Sequence, residues 1–349
     1  MNIDELDTPA AVVDLDRLES NIARLQTYLS EHGLANRPHI KTHKIPAIAQ
    51  MQLKAGAVGI TCQKISEAEV MADAGVRDIF IPYNIIGEAK LGRLMRLAQR
   101  ISLSVTVDSA VVAHGLSEAA QKAELTLPVL VECDMGYQRC GVQSPQEAAD
   151  LARLVTALPN LYFGGLMTYP NTEHLDAFVR ETKAQLTADG ITIERVSGGG
   201  STCMWQAHTH PELTEHRAGM YIFGDRNLLR AGVMTLETRS LGVLATVVSR
   251  PTRDRGILDC GSKVLSSDTF GLEGYGYLCE YPPAKVYGLS EEHGHADFSA
   301  CERKPEIGER VTVIPNHCCP VVNLLNEITG VRQANVEVTW EVAARGTVR

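Results

Sequence analysis

Apolar runs of five to eight residues recur through roughly the first two thirds of this chain, each followed by an amphipathic stretch. The runs are Ala10–Leu15, Arg37–Lys41, Val58–Cys62, Asp78–Pro82, Ser102–Val107, Leu127–Cys133, Tyr162–Thr168 and Thr192–Ser197, with a weaker one at Gly219–Phe223. A strand with one wet face alternates apolar and polar residues; near-continuous apolar strands separated by helices call for a parallel sheet buried on both faces. The segments between them have helical spacing. In Asp16–His32, Leu18, Ile22, Leu25 and Leu29 recur every three or four residues, and Gly33 ends the pattern. Ser109–Ala123 opens on a capping-type residue, Ser144–Leu158 has Pro145 suited to the first helical position, and Glu173–Asp189 runs into Gly190. Eight or nine such strands in about 225 residues fit an α/β fold of the (β/α)8 barrel type. A doubly wound open sheet is the competing arrangement, but no GxGxxG follows an early strand.

After about Gly232 the helical periodicity fades. Short β-rich stretches at Leu241–Val248, Gly256–Asp259, Arg310–Ile314 and Val336–Val342 predict a second, mainly β domain. Leu289–Lys304 reads as an exposed loop. The expected division is a barrel over residues 16–232 and a β domain made of residues 1–15 with 233–349. The formal charge of -9 argues against a nucleic acid or an anionic membrane as partner. No apolar run approaches the roughly 18 to 20 residues that span a bilayer, and the acidic N-terminus lacks the apolar stretch of a secretory leader. Nine cysteines, an odd number with Cys318 and Cys319 adjacent, suit a reduced cytoplasmic setting better than a disulfide framework.

In a parallel barrel, chemistry gathers at the carboxyl ends of the strands. The predicted strands end in Arg37-Pro38-His39-Ile40-Lys41-Thr42-His43-Lys44, in Cys62-Gln63, in Asp134–Gly141, in Thr168-Tyr169-Pro170-Asn171 and in Ser197-Gly198-Gly199-Gly200-Ser201. Three consecutive glycines before a short helix (Ser201–Ala207) let main-chain N–H groups approach an anion such as phosphate. Lys41 lies at a strand end in an inward run; a desolvated lysine loses its proton readily and condenses with a carbonyl. A reactive lysine with a phosphate cradle points to pyridoxal 5'-phosphate. In Pro315-Asn316-His317-Cys318-Cys319-Pro320, an extended backbone would turn His317 and Cys319 to one face. Imidazole and thiolate suit a borderline divalent cation, with water or substrate completing the shell. Read alone, that short motif is as well explained by a buried Cys-Cys turn.

The lysine motif resembles that of the D-threonine aldolase and D-serine dehydratase family, alanine-racemase-like pyridoxal phosphate enzymes. The resemblance continues through Gln63 with Ser66-Glu67-Ala68-Glu69, the Asp134–Gly141 motif, Tyr169, Ser197–Gly200, Arg217-Ala218-Gly219-Met220-Tyr221, Asp259–Lys263 and His317-Cys318-Cys319-Pro320. It implies that Ala10–Leu15 joins the β domain, that Gly219–Phe223 is the eighth barrel strand, and that the protein is a homodimer. By motif position, Lys41 would bond the cofactor, Gly199, Gly200, Ser201 and Tyr221 would hold its phosphate, and Ser197 and Gly219 would also contribute to cofactor binding. Arg139 would sit near the ring hydroxyl and substrate carboxylate, Arg217 would face the ring nitrogen, and Tyr169 and Gln63 would line the ring. His317 and Cys319 would hold a divalent metal (Mn, Mg or Zn), and His174 is a candidate proton carrier.

A metal beside the β-hydroxyl of a D-3-hydroxy amino acid serves two reactions: retro-aldol cleavage to glycine and an aldehyde, or loss of water to give a 2-oxo acid and ammonia. His317-x-Cys319 resembles the family's dehydratases, its aldolases often having His-x-Asp; Thr61-Cys62-Gln63-Lys64 and the compact chain resemble the low-specificity D-threonine aldolases. The expectation is an aldolase, with D-serine or D-threo-3-hydroxyaspartate dehydration as the alternative. A non-catalytic pyridoxal phosphate carrier would lack the additional β domain.

Overall fold

A computed structural model describes all 349 residues. The chain divides into two compact units: Arg24–Lys41, Ile48–Gly219 and Thr347–Arg349 form one, and Met1–Ala23, Thr42–Ala47 and Met220–Gly346 the other. The first strand, β1 (Ala10–Asp14), belongs to the latter unit.

The former unit is built on eight parallel strands: β2 (Ala35–Asn36), β3 (Ile60–Thr61), β4 (Asp78–Ile81), β5 (Ser102–Val107), β6 (Leu127–Cys133), β7 (Leu161–Thr168), β8 (Arg195–Gly199) and β9 (Glu215–Arg217). They pair in the order β2-β9-β8-β7-β6-β5-β4-β3, and a parallel bridge between His39 and Thr61 joins the two edges of this sheet into a ring. The expected barrel is thus present, with two local corrections. Arg37–Lys41 is not a strand: β2 ends at Asn36 and Lys41 lies in a single 3-10 turn, Ile40–Thr42. The eighth barrel strand is Glu215–Arg217, whereas Met220–Ile222 is another 3-10 turn. Both misreadings have one cause. At a barrel mouth the chain turns inward, so a run stays buried and apolar after its ladder has ended.

The predicted helices form as Leu15–Glu31, Ala110–Lys122, Pro145–Ala157 and Leu175–Thr187. Pro145 occupies the first turn, and the Ser144 hydroxyl accepts the Glu147 N–H at 3.2 Å, satisfying a donor the helix leaves open. Within the ring, Phe80, Leu130 and Met167 pack together. The guanidinium groups of Arg195 and Arg217 lie 5.1 and 5.6 Å from the Phe80 ring centre. Glu215 is fully buried but paired: the Arg37 Nε–H donates to it at 2.7 Å and the Ser197 hydroxyl at 2.5 Å, and Arg37 also bonds Asp78. These charges are tolerated because each has a partner.

The other unit is a nine-stranded mixed sheet. Besides β1 it contains β10 (Leu241–Ser249), β11 (Arg255–Leu258), β12 (Tyr277–Leu278), β13 (Lys285–Leu289), β14 (Gly294–Asp297), β15 (Arg310–Ile314), β16 (Glu327–Arg332) and β17 (Asn335–Glu341). The main path is β13-β14-β11-β10-β1-β16-β17, with β15 on β10 and β12 on β15. β1 runs antiparallel to β10 and parallel to β16, so the N-terminal run does join the β domain. Leu289–Lys304 is not an exposed loop. It contains β14, and Ala296, Phe298 and Cys301 are buried against Val243, Leu258 and Tyr281. Polar residues between these apolar ones hid the pattern.

Candidate active site

Lys41 is half-buried at the barrel mouth, and its ammonium lies 5.9 Å from the centre of the Tyr169 ring at the end of β7. The preceding histidine is pinned. Gln63 Oε1 can only accept from His39 Nε2, at 3.0 Å, so Nε2 carries the proton. Its Nδ1 then accepts the Lys41 main-chain N–H at 3.4 Å. Burial, followed by the Lys41 charge, holds the His39 ring well below the ordinary histidine range. His39 is therefore a neutral strut between Gln63 and the lysine turn.

The glycine turn lies where β8 ends. The Gly199 N–H donates to the Asn171 Oδ1 at 2.8 Å, and the Gly200 N–H to the Arg217 carbonyl at 3.1 Å. These two amides are thus used within the chain. What the glycines contribute is close approach: a Cβ on Gly199 would sit 2.8 Å from the Arg217 carbonyl oxygen, and Gly200 has φ +123°. The Ser201 hydroxyl accepts the Gly219 N–H at 3.1 Å, linking the turn to the chain after β9. His216 donates from Nε2 to the Gly200 carbonyl at 3.2 Å and accepts from the Asn171 amide at 3.4 Å. Burial drives its pKa down to about 3.

Arg217 is buried, giving one N–H to Ser197 Oγ at 2.6 Å and another to the Thr168 carbonyl at 2.9 Å. Burial lowers its pKa to about 10, which leaves it charged at neutral pH. Arg139 is half-exposed; its guanidinium lies 4.8 Å from the Tyr169 ring centre and 3.5 Å from Glu132. Glu132 lies inside the apolar run of β6. Its Oε1 accepts from the Cys140 thiol at 3.1 Å, its Oε2 is buried without a partner, and burial raises its pKa. The Thr168 hydroxyl is likewise buried and unpaired. Orphaned polar atoms at strand ends suit a mouth that receives a polar guest. His174 points to solvent at a helix start, with Glu173 at 3.8 Å, and no bond links it to these residues.

In the other unit, His317 caps the helix Cys318–Leu324, so the His-x-Cys motif bridges a helix start, not an extended segment. Cys319 nonetheless lies close enough to His317 to favour the charge on its ring. Cys318 is buried, with its N–H on Asp225 Oδ2 at 3.0 Å. The His317 Nδ1 lies 2.7 Å from Asp268 Oδ2, which orients the ring and leaves Nε2 for a ligand. Burial disfavours the His317 charge, but Cys319 and Asp268 outweigh it and raise the ring to about 9. No third His, Cys, Asp or Glu completes a metal-binding group. The Cys319 thiol also donates to the Thr42 hydroxyl at 3.3 Å.

The family model of the alanine racemase N-terminal domain matches residues 13–227, and that of a serine dehydratase domain matches residues 240–331. A D-threonine aldolase from an Arthrobacter species is 35% identical over 99% of this chain and 94% of its own. The chain belongs to the alanine-racemase-like family of D-threonine aldolases and D-serine dehydratases. A solved D-threonine aldolase from Filomicrobium marinum superposes with a TM-score of 0.91 at 32% identity, covering 99% of this chain and 97% of that one. A D-threo-3-hydroxyaspartate dehydratase, solved as a Cys-to-Ala variant in the metal-free form, gives 0.85 at 29% identity over 98% of both chains.

Four residues bonded to the expected motifs were not legible in the sequence: Glu132 and Asn171 in the barrel unit, and Asp225 and Asp268 in the other. Only Glu132 carried a signal, a carboxylate inside an apolar run. Asp268 lies 49 residues before His317, and nothing in the spacing pairs them.

Proposed function

We propose that this chain is a pyridoxal-phosphate- and divalent-metal-dependent D-threonine aldolase of broad specificity, cleaving D-3-hydroxy-α-amino acids to glycine and an aldehyde. The observation that carries this is the half-buried Lys41 beside Tyr169, in a chain similar over 99% of its length to a D-threonine aldolase. Bound pyridoxal phosphate would draw electrons from a bond at the substrate Cα, and a bound divalent metal would acidify the β-hydroxyl. The Lys41 amine would hold the cofactor covalently, and Ser201, Gly219 and Tyr221 would hold its phosphate, with Gly199 and Gly200 opening the approach. Ser197 fixes Arg217, whose charge would face the ring nitrogen. Gln63 and Tyr169 line the ring, and Arg139, steadied by Glu132, takes the substrate carboxylate. The donor set of His317 Nε2 and the Cys319 thiolate fits a borderline cation, and the Asp268 contact is the usual carboxylate support of a metal-bound histidine. His174 has no part in this arrangement, its ring being 73% exposed. We further propose a homodimer in the cytoplasm, a setting that suits nine free thiols.

Cys319 favours a second reading, dehydration of the same substrates: the His317 and Cys319 donor set suits zinc, which would help the β-hydroxyl leave as water. The deciding experiment supplies D-threonine with Mn2+ or Zn2+ and identifies the products. Glycine with acetaldehyde supports the aldolase; 2-oxobutanoate with ammonia replaces it by a dehydratase. Either activity should fall on chelation.

A further inference from the structure

A second pair of imidazoles lies on the surface of the barrel unit, where the helix Leu15–Glu31 ends beside the 3-10 segment Ser201–Thr209. His32 follows the helix, His208 lies near the end of the segment, and both are exposed. Their ring centres are 4.6 Å apart at an interplanar angle of 40°. Tyr28 touches both, its ring centre 4.7 Å from that of His32 and 5.7 Å from that of His208, and decides where their protons lie. Its hydroxyl donates to the Trp205 carbonyl at 2.7 Å, which uses the only hydroxyl proton. His208 Nδ1 is 2.6 Å from the same oxygen, so Nδ1 must be the donor. The His208 main-chain N–H points to that oxygen as well, at 3.4 Å. His32 Nδ1 lies 2.7 Å from the Tyr28 carbonyl, which can only accept, so this Nδ1 also carries the proton. In their neutral forms both rings therefore present an Nε2 lone pair, with Nδ1–H held by an oxygen. Metal-binding histidines are held in this same way, one nitrogen tied to an oxygen and the other to the ion.

We propose that His32 and His208 form a surface site for a borderline divalent cation (Zn2+, Ni2+ or Cu2+), each giving Nε2, with water in the remaining positions. Imidazole without carboxylate selects these ions over Mg2+ or Mn2+. No third His, Cys, Asp or Glu joins the pair, so the ion is exchangeable. Its effect is a staple. It ties the end of the first long helix to the segment that leaves the Gly200–Ser201 turn, and stabilises the folded chain by mass action. The inference does not depend on the proposed activity.

The test uses untagged holoenzyme and Ni2+ titrated by calorimetry, with Cu2+ quenching of Trp205 fluorescence as an independent readout. Trp205 is one of two tryptophans, and its ring centre is 5.2 Å from that of Tyr28. His32→Ala and His208→Ala should each abolish one Ni2+ site and the quenching attributable to it, while far-UV circular dichroism and metal-free melting stay unchanged. Tyr28→Phe keeps both ligands but removes the oxygen holding His208; Ni2+ should bind about tenfold more weakly or worse. The His317 and Cys319 pair is intact in all three variants and serves as the internal reference. In wild type, long-range 1H–15N spectra should show both rings protonated at Nδ1. An unchanged Ni2+ stoichiometry in the His32→Ala, His208→Ala double variant, or rings protonated at Nε2, overturns the proposal.

Discussion

His216 exemplifies how buried polar residues set the behaviour of this chain. Its ring is neutral in the folded state because burial lowers its pKa to about 3, whereas the unfolded chain titrates near the ordinary value of 6.5. Below pH 6.5 the unfolded state binds the proton and the folded state does not. The stability that neutral His216 contributes is therefore intact above 6.5 and is lost as pH falls, at up to about 1.4 kcal/mol per pH unit. Urea unfolding between pH 7 and 5 should show a shallower decline in His216→Gln than in wild type. Parallel declines would mean that His216 takes up its proton without unfolding. At the proposed metal pair, Asp268 orients His317. Asp268→Asn should weaken Zn2+ binding about 10- to 100-fold while leaving both ligand side chains in place. Equilibrium dialysis reads this directly, and an affinity equal to wild type would remove Asp268 from the centre.

The four long helices were legible in the sequence to within two residues, because caps and breakers are local, whereas Pro46–Lys54, Ile65–Asp73 and Glu88–Ala98 were not. Ser144 and Pro145 at a start, and Gly33 and Gly190 with positive φ at stops, act within one turn. Ser144→Ala should cost about 1 kcal/mol in chemical denaturation. Strand ends were harder, since β2 and β9 have two and three residues and the buried chain runs past them. The bulge in β7 had no sequence signal beyond a pair of glycines. Gly165 there has φ +133°, and a Cβ would collide with the Arg195 carbonyl in β8. Gly165→Ala is expected to destabilise by about 2 kcal/mol or more, seen as a lower melting temperature. A variant melting with wild type would show that the two strands separate easily.

For the molecule as a whole, the alternation of apolar runs and amphipathic helices pointed to the barrel, and the later short β-rich stretches pointed to a second, mainly β unit, whose last segment begins at Met220. The lysine, the glycine turn and the His-x-Cys motif were visible because each is contiguous. Contacts that fold across the chain were not: Asn171 with His216, and Asp268 with His317. Both needed coordinates, because hydrogen bonding across long loops leaves no period in a sequence. The homodimer is tested by light scattering, which should give twice the 38.0 kDa chain mass; a monomer would separate this protein from that reading. The central claim is that Lys41 bonds the cofactor. The most direct measurement is borohydride reduction of the holoenzyme followed by peptide mass spectrometry. The account predicts a phosphopyridoxyl group on the peptide containing Lys41 and none on any other lysine. A modified lysine elsewhere, or no modified peptide from protein carrying pyridoxal phosphate, would contradict it.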